Sequence, residues 1–259
     1  MFDLTGRTAL VTGAGQGVGR GIALTLAAQG AAVAINDFFR ERADAVAAEI
    51  TAAGGRAVGL QADVTDLTSV TGAVAEAEEQ LGAGVDLLVN NAGNAGPSHN
   101  IDDPTPFWET GPEDWAPWMA TNYYGVLNCA RAVLPGMVER GHGRIVSIVS
   151  DAGRVGEPNL VVYSGAKAGA AGFTRGLAKA IGRHGITANC VALATMRTPA
   201  TEPLLADADL ARRALKPYVV RRFGEPSDAA AAVLFLVSDE ASWVTAQTYP
   251  VNGGYSVST

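Results

Sequence analysis

Cysteine, histidine and net positive charge are all scarce in this 259-residue chain, which has two cysteines, three histidines and a formal net charge of -7. The two cysteines, Cys129 and Cys190, each lie inside an apolar stretch, so buried thiols in a reducing compartment are expected and a disulfide framework is not. His99, His142 and His184 are scattered without ligand-like spacing, and no metal site is inferred. The acidic balance argues against nucleic acid or an anionic membrane as partner, since both select basic patches. Long apolar runs are missing as well: none reaches the ~20 residues that span a bilayer. Residues 1–6 lack the basic-then-apolar order of a leader. A soluble, cytoplasmic protein is the expectation. With 48% hydrophobic and only 17% charged residues, the composition is that of a globular chain and excludes a disordered or coiled-coil one.

What is present is alternation. Short apolar runs at 7–12, 31–36, 56–61, 85–90, 144–149 and 186–191 read as strands. Ala-rich stretches at about 17–29, 40–53, 67–81 and 160–183 read as helices. The strands are continuously apolar, as in a sheet covered on both faces. This βαβα order predicts an α/β protein: a doubly wound parallel sheet of about seven strands, with helices on both faces set by right-handed crossovers. No Pro/Ser linker or repeat divides the chain, so residues 1–259 are expected to form a single domain.

Tyr163 and Lys167 are four apart on the longest predicted helix and therefore share a face. A free phenol titrates near 10, and lowering that by about three units requires roughly 4 kcal/mol. One positive charge at about 4–5 Å, in an effective dielectric near 20, supplies approximately that much. The pair can thus act as proton donor and acceptor at neutral pH. Elsewhere, Thr12-Gly13-Ala14-Gly15-Gln16-Gly17-Val18-Gly19 joins a strand to a helix. Its glycines, Gly13, Gly17 and Gly19, let a backbone approach a pyrophosphate that the helix N-terminus would meet. Asp37 closes the second strand, where a carboxylate accepts from both hydroxyls of an adenosine ribose and repels a 2′-phosphate. NAD(H) is therefore expected over NADP(H), with Arg40 near enough in sequence to offset part of that repulsion.

Asp63-Val64 follows the third strand and Asn90-Asn91-Ala92-Gly93 the fourth, at carboxyl ends where ligands collect in open sheets. With these motifs the sequence resembles the short-chain dehydrogenase/reductase family over nearly its whole length, through Asn122 and Tyr163/Lys167 to Val251-Asn252-Gly253-Gly254. The resemblance implies a Rossmann-type fold and a catalytic set of Asn122, Ser150, Tyr163 and Lys167. Ser150 would hydrogen-bond the substrate oxygen, and Asn122 would anchor a relay water beside the lysine, which also holds the nicotinamide ribose. It further implies that Gly13, Gln16, Gly17, Val18, Gly19, Asp37, Asp63, Val64, Asn91, Ala92, Gly93, Met196 and Thr198 hold the cofactor, together with Tyr163 and Lys167. Asp63 and Val64 would take the adenine, and Thr198 the carboxamide. A homotetramer is expected on the same ground, built through the last helix and strand at 229–237 and 251–254.

Two departures from the family stand out. Leu193 and Ala194 replace the Pro-Gly pair after strand six, and Ala194 cannot take a positive φ cheaply, so a different local path is expected. The loop at 94–113 is extended and carries Pro97, Pro104, Pro106, Phe107, Trp108 and Pro112. Its aromatics suit a substrate pocket, a subunit contact or plain surface packing, and Thr110 with Glu113 is expected to form a capping box. The resemblance also implies a substrate-covering segment at 195–217 with a helix at 201–216, where Arg197, Arg212, Arg213 and Lys216 bring positive charge that suits an anionic thioester or a solvated face.

The reading is an NAD(H)-dependent oxidoreductase interconverting a secondary alcohol and a ketone, with Tyr163 as proton carrier. A 3-oxoacyl-thioester (ACP or CoA) reductase is the alternative within the same chemistry. A non-catalytic dinucleotide-binding scaffold is the alternative outside it.

Overall fold

Seven short runs pair edge to edge in a computed structural model of the chain, which describes residues 1–93 and 105–257. They are β1 (Thr8–Thr12), β2 (Ala32–Asp37), β3 (Arg56–Gln61), β4 (Leu87–Asn90), β5 (Gly143–Ser150), β6 (Ile186–Leu193) and β7 (Thr248–Val251). Their order is β3-β2-β1-β4-β5-β6-β7, and every neighbouring pair is parallel. β1 pairs with both β2 and β4, so the connections diverge there and leave a crevice at the carboxyl ends of β1 and β4.

Side-chain alternation along the buried strands assigns each face its helices. Ala9, Val11, Val33, Ile35, Leu87 and Val89 pack with α1 (Gly17–Ala28), α2 (Arg40–Ala52) and α10 (Pro226–Val237). Leu10, Ala34, Leu88 and Ile145 point the other way, against α3 (Leu67–Leu81), α5 (Gly125–Arg140) and α7 (Val161–Ile181). Both faces are covered, which is why these strands read as unbroken apolar runs. Cys129 and Cys190 are buried and free, and burial pushes the Cys129 thiol up to about 12. Among the described residues no helix is long and apolar enough to cross a membrane.

Several expectations need correction. The second half of the 94–113 loop is described only from residue 105, so Pro97, Pro104 and His99 lie outside the described residues. Helix α4 (Pro112–Met119) is capped by Gly111, not Thr110: the Asp114 carboxylate accepts from the Gly111 amide at 2.8 Å. Thr110 instead donates to the Phe107 carbonyl at 2.7 Å and accepts from the Trp115 indole at 2.8 Å. The covering segment is two short helices, α8 (Glu202–Ala206) and α9 (Ala208–Ala214), not one. Asp207 divides them, its carboxylate accepting from the Asp209 and Leu210 amides at 2.9 and 3.0 Å. The last strand ends at Val251, so Asn252-Gly253-Gly254 is a turn and not strand. Ala194 takes no positive φ: among the described residues only Phe2 and Ala246 do so without being glycine. The Leu193-Ala194 pair therefore runs with ordinary backbone angles, and β6 continues through Leu193 opposite Ser150.

Candidate active site

The crevice is stitched together by Thr12, the last residue of β1. Its hydroxyl accepts from the Asn91 and Ala92 amides, each at 3.0 Å, and the Asn91 side chain donates back to the carbonyls of Thr12 and Gly13 at 2.9 and 3.0 Å. Gly13 is held at φ +58, and a Cβ there would lie 2.8 Å from the Ala92 Cα. A Cβ at Gly19 would meet the Asn91 side chain and the Gly13 carbonyl. Only hydrogen fits at either place, so the Gly-rich turn and the Asn-Asn-Ala-Gly run close on each other. Gly17, at φ +56, faces Thr198, whose methyl would be 3.3 Å from an added Cβ.

These contacts form a cradle suited to a dinucleotide. Gln16 stands before α1 in extended conformation and gives it no side-chain cap, and the first turn holds no acidic residue. The first N–H groups of α1 thus face the crevice without a protein acceptor from the cap, which suits a pyrophosphate. Val18 turns inward to the core. Asp37 is buried at the end of β2, with one carboxylate oxygen accepting from Gly15 N at 3.0 Å and the other from Phe39 N at 3.1 Å. Each oxygen keeps further acceptor capacity toward a ribose. Arg40 is turned away to Asp44, at 2.9 Å, and to Glu76, at 3.7 Å. Arg42, absent from the sequence reading, is the cation beside this point: it lies 4.4 Å over the Phe39 ring, with its Cβ against Gly15. Asp63 makes an Asx turn with Thr65, and the Val64 carbonyl accepts from Asn128 at 2.9 Å. Met196 buries its side chain under Gly224 and presents its backbone, while the Thr201 hydroxyl donates to the Met196 carbonyl at 2.6 Å and accepts from Thr198 N at 3.0 Å.

Three elements deliver the four proton-transfer candidates to one place. Asn122 is fully buried, at 0% exposure, in a π-helical turn (Ala120–Tyr124) between α4 and α5, and donates to the Trp118 carbonyl at 3.0 Å. Such wide turns often mark functional positions, because they redirect a single side chain. Its Oδ1 and the Lys167 Nζ would each lie 3.3 Å from a Cβ on Gly93. Lys167 is 4% exposed and donates to the Ile148 carbonyl at 3.0 Å. Burial pulls its pKa down from 10.5 to about 8. Ser150 ends β5, where its hydroxyl donates to the Leu193 carbonyl at 3.4 Å and accepts from Ala152 N at 3.2 Å. Tyr163 stands on the first turn of α7, with Trp118 edge-on to its ring at 5.8 Å.

The expected lowering of the Tyr163 pKa by Lys167 is not what this geometry gives. Burial pushes the phenol above its ordinary 10, and only the hydrogen bond with Ser150 pulls it back. The reason is orientation: the ammonium sits 5.7 Å from the ring centre and is directed to a backbone carbonyl. Phe107 stacks on Trp115 at 5.4 Å and Trp108 is 82% exposed, while Trp118 from α4 is the aromatic beside Tyr163. A cavity of about 360 Å³ lies behind the segment after β6, lined by Thr195, Met196, Tyr218, Arg222, Asp228 and Gly253. None of the four proton-transfer candidates lines it.

The family described as Enoyl-(Acyl carrier protein) reductase matches residues 13–256. A 3-oxoacyl-[acyl-carrier-protein] reductase of Synechocystis sp. is 38% identical over 256 residues, covering 98% of each chain. This chain belongs to the short-chain dehydrogenase/reductase family. It is an oxidoreductase, and its described residues form one parallel seven-stranded sheet. Two solved short-chain dehydrogenase structures superpose with a TM-score of 0.90 and 34% identity. One is a gluconate 5-dehydrogenase from Burkholderia cenocepacia in complex with NADP and tartrate, covering 100% of this chain and 98% of its own. The other is a 7α-hydroxysteroid dehydrogenase complexed with NADH and 7-oxo glycochenodeoxycholic acid, covering 98% and 95%.

Residues to which the sequence reading gave no role complete the site. Thr12 joins the two cofactor runs, and Trp118 flanks Tyr163. Asp151, next to Ser150 and preceding the short helix α6 (Ala152–Val155), is buried in an ion pair with Arg154 at 2.6 Å. A threonine closing a strand before glycine was the one local signal available. The other two depend on contacts distant in sequence.

Proposed function

We propose that this chain interconverts a secondary alcohol and a ketone with a nicotinamide dinucleotide, preferring NAD(H). The observation that carries the reading is the convergence of Lys167 Nζ and Asn122 Oδ1 at Gly93, with Ser150 near enough to Tyr163 to draw its pKa down against burial. The bound dinucleotide supplies or accepts the hydride. In reduction the Tyr163 hydroxyl gives its proton to the ketone oxygen, and in oxidation the phenolate takes the alcohol proton. Ser150 turns its hydroxyl from the long Leu193 contact to the substrate oxygen and stabilises charge there. Lys167 passes the proton onward to a water that Asn122, facing the same space, would anchor. A phenol raised by burial keeps its proton at neutral pH, which suits it as the acid of the reductive direction.

Preference for NAD(H) rests on Asp37, whose buried carboxylate opposes a 2′-phosphate. Arg42 beside it reduces that opposition without removing it. A 3-oxoacyl thioester is a second reading for the ketone, favoured by the likeness to the Synechocystis acyl-carrier-protein reductase. Positive charge on the covering segment gives it less support than the sequence suggested. Arg212 is paired with Asp209 and Arg197 with Glu225, each at 3.0 Å, which leaves Arg213 and Lys216 without an ion pair among the described residues.

Turnover of NADH and of NADPH is to be compared on acetoacetyl-CoA and on a panel of aliphatic and cyclic ketones and alcohols. Faster NADH turnover on simple ketones or alcohols supports the first reading. A strong preference for acetoacetyl-CoA favours the second. NADH binding without hydride transfer to any of them contradicts both and supports a scaffold.

A further inference from the structure

Ser150 and Asp151 hang from one carbonyl. Leu193 O accepts from the Ser150 hydroxyl at 3.4 Å and from the Asp151 amide at 2.9 Å. Whatever fixes Asp151 therefore fixes the backbone that presents Ser150. Asp151 is 1% exposed, and a carboxylate so buried needs full pairing. One oxygen accepts from Arg154 Nη1 at 2.6 Å. The other accepts from Asn252 Nδ2 at 2.6 Å and from the Ser256 hydroxyl at 2.9 Å. The ring closes on itself. Arg154 Nη1 also donates to the Ser256 hydroxyl at 2.9 Å, and Asn252 to the Ser256 carbonyl at 2.9 Å.

This turn at 252–256 is in turn tied to the covering segment. Val220 N donates to the Gly253 carbonyl at 2.8 Å, and the Tyr255 ring lies 5.2 Å from that of Tyr218. The Tyr218 hydroxyl accepts from Thr195 N at 3.0 Å, just past β6. Gly254, at φ +77, packs so closely that a Cβ would lie 2.7 Å from the Val219 Cβ. One buried carboxylate thus couples the end of β5, the C-terminal turn and the segment after α9.

We infer that Asp151 is a positioning residue, which locks the C-terminal turn to the end of β5 and thereby sets Ser150 against the substrate. Asp151 touches neither Tyr163 nor the dinucleotide cradle, so its loss acts on the substrate steps and not on cofactor affinity. The inference rests on the Ser150 role proposed above. Asp151→Asn sets an amide donor against the Asn252 donor and leaves Arg154 without its anion. Asn252→Asp cannot repair it, because a carboxylate there would face the Ser256 carbonyl that Asn252 Nδ2 serves at 2.9 Å.

The test is steady-state reduction of acetoacetyl-CoA or the best ketone of the panel, with NADH affinity measured by fluorescence. The variant Asp151→Asn is expected to lose roughly ten- to a hundred-fold in kcat/KM for the ketone, the scale of a misplaced reacting group, with NADH affinity within about twofold. An unchanged kcat/KM, or a loss of NADH affinity by the same factor, overturns the inference. Hydrogen exchange at 252–257 decides the matter separately from any turnover. Faster exchange in Asp151→Asn supports the lock even if the wild-type chain reduces nothing, an outcome that would sink only the proposed function. Unchanged exchange sinks the lock.

Discussion

Lys167 Nζ lies 5.7 Å from the centre of the Tyr163 ring and gives its hydrogen bond to the Ile148 carbonyl, 3.0 Å away. The lysine is thus held by the sheet, and its charge is costly where it stands. Its pKa is about 8 in the folded protein against 10.5 for the ordinary side chain. The folded state then binds fewer protons than the unfolded state between those values, so the cost is full below pH 8 and fades as pH rises toward 10.5. Lys167→Met removes it. The stability of that variant relative to wild type, in cofactor-free protein, is expected to fall by about 2 kcal/mol between about pH 7 and 9.5. Urea denaturation at a series of pH values measures it, and a difference independent of pH would show that the lysine is not buried as described.

Thr12 makes a second prediction. Its hydroxyl serves two amides of the run after β4, so Thr12→Val keeps the shape and strands both N–H groups. A loss of about 2–4 kcal/mol is expected at ~1–3 kcal/mol for each buried group left unpaired, with a weaker NADH affinity beside it. Thr12→Ser, which keeps the acceptor, should cost under about 1 kcal/mol. Equal stability of the two variants would contradict the role.

Periodicity made the fold readable, and long-range contacts hid the details. The boundaries of β3 and α3 are as the sequence implied, since both are bounded by strong local signals: Gly54-Gly55 before β3, and Asp66, which caps α3 through Thr68 N. Ser150, Tyr163, Lys167 and Asn122 were readable through spacing and resemblance to a family. The direction of the Lys167 ammonium was not, because it is set by a carbonyl on β5, nineteen residues away. Thr12 acts across some eighty residues and Asp151 across about a hundred, distances over which single-sequence patterns carry no pairing information. The covering segment was expected as one helix because the family resemblance implied one, while Asp207 starts a new helix by capping it.

Cofactor choice gives a third prediction. Asp37 accepts from Gly15 N and stands where the ribose hydroxyls would arrive. Asp37→Ala removes the repulsion of a 2′-phosphate and leaves Arg42 in place. The ratio of kcat/KM for NADH over NADPH is expected to fall by about tenfold or more, which corresponds to ~1.4 kcal/mol. An unchanged ratio would show that Asp37 does not discriminate. A further fall on adding Arg42→Ala, instead of a partial return toward NADH, would show that Arg42 does not favour the phosphate.

The central claim is that Tyr163 carries the proton while the cradle from Thr12 to Asp37 holds the cofactor independently. Its most direct test is NADH-dependent reduction of the best ketone by wild type and Tyr163→Phe, with NADH binding measured on both. The account predicts turnover by wild type, unchanged NADH affinity in Tyr163→Phe, and a loss of roughly a thousandfold in its turnover. Turnover in the variant above about a tenth of wild type would contradict it.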